Sequence, residues 1–155
     1  MVEEFKYLRD DEVEVMMRAP IYVALLIAGA DGKIDNNERK EAINIAREKQ
    51  SRARDQLVNY YTEVGNNFEQ KFEQLLKELP SDTAARNDAI AMELRKLNYI
   101  FKKIDKNFSI KLYGSLKDLA KKIAEASGGV LGYLSVSYEE SKLMDLRMIN
   151  DPSKG

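Results

Sequence analysis

A chain of 155 residues with 44% hydrophobic and 33% charged side chains has enough apolar material for one core, with roughly 70% of its extended surface buried on folding, which excludes a disordered polyampholyte. Cysteine, histidine and tryptophan are absent, which removes disulfides, thiolate nucleophiles, nitrogen-and-sulfur zinc sites and histidine acid–base catalysis. The net charge of −1 hides an uneven spread: residues 1–45 carry 6 basic and 10 acidic side chains, and residues 46–122 carry 16 and 11.

The opening residues have no apolar signal core, and the longest apolar run, 20–30, is too short to cross a bilayer, so a cytoplasmic protein without a membrane span is expected. Asp10, Asp11 and Glu12 cap a first helix with Val13, Met16 and Met17 on one side. It is expected to end before Pro20, because a residue preceding proline is pushed out of the helical region. Pro20 suits the first turn of a second helix, apolar from 21 to 28 with hardly a break and therefore buried nearly all round. Gly29 and Gly32 let the chain stop and turn. Asp35, Asn36, Asn37 and Glu38 have the form of a capping box, opening a third helix over 36–52 with Ala42, Ile45, Ala46 and Lys49 on its inner row.

Between 53 and 79, Leu57, Tyr61, Val64, Phe68, Phe72, Leu75 and Leu79 recur at intervals of three and four, which predicts one long helix kinked at Gly65. Its aromatics, Tyr60, Tyr61, Phe68 and Phe72, read as core rather than as a ligand groove. Pro80 ends it and Asp82 caps the next helix, where Ile90, Leu94, Leu97, Phe101 and Ile104 form a narrow seam, making a helical hairpin. Asn107 is expected to close that helix and Ser109 to cap the sixth, with Phe108 and Tyr113 as a hydrophobic staple and Leu112, Leu116, Leu119 and Ile123 as its buried row. Gly128 and Gly129 are expected to stop it. A loop over 130–136 then leads to a last helix, opened by Ser137 and Glu140 and running through Ile149. Residues 24–32 align with 120–128, and Ile34, Asp35 and Glu38 with Val136, Ser137 and Glu140, so the pattern predicts an all-α, single-domain bundle of about seven helices over 1–150 with a duplicated helical hairpin. Residues 151–155 read as a flexible tail.

The turn after the second helix holds the one concentration of chemistry. Measured against an EF-hand, Gly32, Ile34 and Glu38 fall at the sixth, eighth and twelfth positions and Asp31 and Asp35 at the fifth and ninth, but Ile27 and Gly29 stand where the first and third acids belong. A full calcium loop is excluded. Asp31, Asp35 and Glu38 remain as a half-loop for a divalent cation such as calcium or magnesium, with carbonyls, water or Glu140 completing the shell, against the plainer reading of caps and turns. The second copy has serines at Ser127 and Ser137 where the first has Asp31 and Asp35, so capping is the shared need and the clustered acids are particular to the first copy.

The run Ile27-Ala28-Gly29-Ala30-Asp31-Gly32-Lys33-Ile34-Asp35, followed by Glu38, resembles the signature of the TerB-like tellurite-resistance family, and the same module resembles the N-terminal domain of the membrane-anchored DnaJ-like co-chaperones. The resemblance implies an all-helical fold with internal pseudo-symmetry, a metal-binding acidic cluster on Asp31, Asp35 and Glu38, and a non-enzymatic role in stress-response assemblies. The loss of acids at Ser127 and Ser137 departs from a two-sided acidic cage.

Three functions compete. The leading expectation is a cytoplasmic, non-enzymatic accessory or sensor module that binds a divalent cation or a protein partner through the acidic turn. The alternative is an interaction or anionic-ligand domain using the basic stretch 95–122, in which Arg95, Lys102 and Lys106 share one helical face and Lys96 and Lys103 an adjacent one; the acidic overall balance disfavours nucleic acid. An enzyme is disfavoured, since no phosphate loop, nucleophile elbow or paired carboxylates occur; its least implausible form is a metal-assisted hydrolase on Asp31, Asp35 and Glu38.

Overall fold

Pro20 lies inside a helix rather than at the start of one. In the computed structural model, which describes residues 2–30, 32–134, 143 and 145–154 and the side chains of all of these except 127–134, α1 runs unbroken over Asp10–Ala28. Proline removes the N–H that would bond to the carbonyl four residues earlier, that of Met16. The phenol of Tyr60 supplies the missing donor, its Oη 2.6 Å from the Met16 oxygen. The expected break before Pro20 is therefore overturned by a hydrogen bond from a distant part of the chain.

The remaining helices are α2 (Asn36–Arg52), α3 (Leu57–Gly65), α4 (Phe68–Glu78), α5 (Thr83–Arg95), the single turn α6 (Leu97–Ile100) and α7 (Lys106–Leu134), with 3₁₀ turns at Glu3–Phe5 and Pro152–Lys154. The fold is all-α as expected. No helix among the described residues is long and apolar enough to cross a membrane. Helix α1 is the axis: every residue from Ala19 to Ala28 is buried, and α1 touches each of the other six helices. Full burial of Leu25 or Leu26 stabilises the fold by about 1.5–3 kcal/mol apiece.

The predicted helix over 53–79 is two. Asn66 is extended and Asn67 takes a left-handed conformation (φ 61°), one that asparagine tolerates better than most residues, so the chain breaks between α3 and α4 instead of kinking at Gly65. The heptad-like spacing survives because both halves bury the same side: Tyr60, Tyr61, Val64, Phe68, Phe72 and Leu75 are all core. Tyr60 meets Phe5, Tyr61 and Phe108 edge-to-face with ring centroids 5.2–6.0 Å apart, an arrangement favoured by the ring quadrupoles. Burial pushes the Tyr61 phenol up to about 12, and its hydroxyl shares a 2.5 Å hydrogen bond with Ser115 on α7.

At the other end Asp105, not Ser109, caps α7: its Oδ2 accepts the Phe108 N–H at 2.9 Å, while Ser109 is fully buried and bonds back to the carbonyls of Phe101 and Asp105. Phe108 joins the aromatic core rather than a staple. Helix α7 continues through Gly128 and Gly129 to Leu134, because a glycine inside a helix costs only about 1 kcal/mol relative to alanine. The turn at Gly32 thus has no counterpart at Gly128, and Val136, Ser137 and Glu140 lie outside the described residues. Leu146 and Ile149 return to the core, and Pro152–Lys154 sits beside α7.

Candidate functional site

Two places hold the residues to which sequence reasoning assigned chemistry. The first is the turn between α1 and α2. The capping box forms as expected: Asp35 Oδ1 accepts the Glu38 N–H at 2.7 Å, and Glu38 Oε1 accepts the Asp35 N–H at 3.1 Å. Both carboxylates of the described pair are thus bonded to backbone, with Asp35 exposed and Glu38 half-buried. Asp31 lies outside the described residues. Among those described, no three acids gather as a metal cluster.

What meets the turn is a cation from α5. Asp82 caps that helix through the Ala85 N–H at 2.9 Å, and its first turn delivers Arg86 and Asn87, both more than nine-tenths buried. Arg86 Nη2 donates to the Gly29 carbonyl at 2.6 Å and to the Gly32 carbonyl at 2.5 Å, and Asn87 Nδ2 donates to the Ala30 carbonyl at 3.5 Å. Three carbonyls that would be natural ligands for a loop cation thus face side-chain donors. The guanidinium also explains Gly29, whose φ of −103° needs no glycine: a Cβ there would lie 2.5 Å from Arg86 Nη2 and 3.0 Å from Ile34 Cγ1. Gly32, at φ 150°, is the position that requires glycine's freedom.

The second place is the outer face of α5 and α6. Ile90, Leu94, Leu97 and Phe101 are buried as the predicted seam, with Ile104 partly so. At about 100° per residue the opposite side carries Met92 and Tyr99, seven residues apart, and these stand 64% and 72% exposed. A row of basic residues runs along each side of this apolar pair, and the two rows differ. Lys96 pairs with Glu93 at 2.7 Å, and Lys103 with Glu12 of α1 at 2.6 Å. Hydrogen bonds from Lys103 and from the Arg9 N–H hold the Glu12 carboxyl below its usual value. Arg95 and Lys102, also seven apart, are exposed and make no ion pair among the described residues. Lys106 leaves this row: α6 ends at Ile100 and the turns after it at Lys103, and Lys106 is the first residue of α7, the helix that Asp105 caps.

Sequence reasoning found the cations and missed Met92, Tyr99 and Arg86. The first two were legible as large apolar residues half a turn away from the seam. Arg86 gives no local sign, since nothing in its neighbours separates a buried arginine from a solvated one. Comparison of the chain with family models, with curated proteins and with solved structures gave no match.

Proposed function

We propose that this chain is a non-enzymatic helical accessory module that works by holding a partner protein against the exposed face of α5 and α6. The observation that carries the reading is the pair Met92 and Tyr99, 64% and 72% exposed on one side of a helical run whose other side is fully committed to the core. Solvated apolar side chains gain free energy when a partner covers them, and free cations beside them add selectivity. The acidic turn supports a binding role less well, because the Asp35 and Glu38 carboxylates already cap α2 and Arg86 already answers two of the turn's carbonyls. The cation, tellurite and stress elements of the TerB-like resemblance rest on its short motif alone.

The test is site-specific photo-crosslinking in cells of the source organism, with the reactive side chain at 92, at 99 and, as a control on a separate element, at the 44% exposed Val58. The reading expects one protein to be trapped from 92 and 99 and not from 58. Equal trapping at all three, or none at 92 and 99, overturns it.

A further inference from the structure

We infer that the occupant of the α5–α6 face is an amphipathic helix of a partner protein with one acidic edge. This rests on the reading of that face as a partner-binding surface and goes further by naming what fits it. The face is two rows with one spacing in sequence: Met92 and Tyr99 in the apolar row, and Arg95 with Lys102, the latter in the turns that follow α6, in the cationic row, each pair seven residues apart, which is about 10.5 Å at the α-helical rise. A second helix laid alongside repeats its side chains at the same interval of seven. An extended strand does not, because same-side residues recur at about 6.6 and 13 Å, and it would satisfy one member of each row while missing the other.

Charge sets the chemistry of the edge. On the apolar row's other flank, Lys96 and Lys103 are neutralised by Glu93 and Glu12, so the excess positive charge lies on one side only. There the exposed residues read Asp88, Arg95 and Lys102 at successive intervals of seven, one acid followed by two cations, with no ion pair to any of the three among the described residues. A partner edge carrying two acids opposite Arg95 and Lys102 and a base opposite Asp88 matches in one direction and meets like charges in the reverse one, which fixes its orientation. Phosphate backbones would gain from the two free cations alone, would meet Asp88, and would leave Met92 and Tyr99 uncovered. A contact centred on two apolar side chains is small, and its affinity is expected on the order of 10 µM.

The experiment is fluorescence anisotropy of the full chain with labelled synthetic helical peptides. Each carries leucines at i and i+7, and one edge bears glutamates, lysines or serines. The acidic-edge peptide is expected to bind, more weakly as salt rises, and the lysine and serine versions about tenfold or more weaker. The variant Arg95→Glu with Lys102→Glu, both exposed and so expected to fold normally, should lose the acidic peptide and gain the lysine one. Binding indifferent to edge charge overturns the inference, as does preference for single-stranded nucleic acid or anionic vesicles. Sedimentation showing self-association that Tyr99→Ser abolishes would assign the face to a second copy and overturn it as well. If crosslinking at 92 and 99 traps a partner while no acidic helix binds, the inference fails and the partner-binding reading stands; if neither occurs, both fail.

Discussion

Tyr60 is fully buried, and its hydroxyl answers the Met16 carbonyl that Pro20 leaves without a donor. Tyr60→Phe keeps the ring and orphans that carbonyl in the core, so the denaturation midpoint should fall by the equivalent of about 1–3 kcal/mol; an unchanged midpoint would mean the carbonyl finds another donor. The Gly29–Arg86 contact makes a second prediction at the same scale. Gly29→Ala drives a methyl group against a guanidinium held by two carbonyls and should destabilise by about 1–3 kcal/mol. Most of that loss should vanish in the Arg86→Met background, where only the 3.0 Å approach to Ile34 Cγ1 remains, although Arg86→Met is itself costly; additive effects in this double-mutant cycle would refute the contact. These residues also mark where sequence legibility ends. Asp35 and Glu38 were readable because their partners lie three residues away, whereas Tyr60 and Arg86 act on backbone 44 and 57 residues distant.

Elements were legible where periodicity and a local cap agree. Helix α2 begins where predicted because Asp35 and Glu38 close its start, and α5 begins at Thr83 because Asp82 precedes it. Local breaker residues did not set boundaries where the surroundings support the helix: α1 passes through Pro20 and α7 through Gly128 and Gly129. The ion pair of Glu12 with Lys103 fastens the first turn of α1 to the end of the α5–α6 run, and so orients the face that carries Tyr99. Because its hydrogen bonds lower the Glu12 pKa in the folded state, its contribution to stability is complete above the unfolded value of 4.5 and is lost as pH falls through the lower folded value. Melting temperatures of Glu12→Gln should therefore lie below those of the parent at neutral pH and converge with them in acid. Parallel curves down to the lowest pH would show that the pair contributes nothing through titration.

For the whole molecule, the all-α architecture followed from composition and helical spacing, while the packing order around α1 did not, since several amphipathic helices can cover one apolar rod in more than one arrangement. The candidate site divides in the same way: the cations were visible in the sequence, and the exposure beside them became visible only once the seam had chosen its side. With Arg86 seated on the turn, millimolar calcium, magnesium or manganese is expected to move the melting temperature by no more than on the order of a degree. A saturable rise, lost in Asp35→Asn, would return the turn to cation binding. The bond from Tyr60 to Met16 has a further consequence for synthesis, which runs in one direction. A nascent chain that has released α1 and α2 carries the most apolar helix of the protein with one mid-helix carbonyl still unanswered. Helix α2 can already cover part of that apolar surface, but the Met16 carbonyl finds its donor only once residue 60 has cleared the ribosome. The emergence of α3, rather than the completion of α1, is thus the moment at which the backbone bonding around Pro20 can be completed.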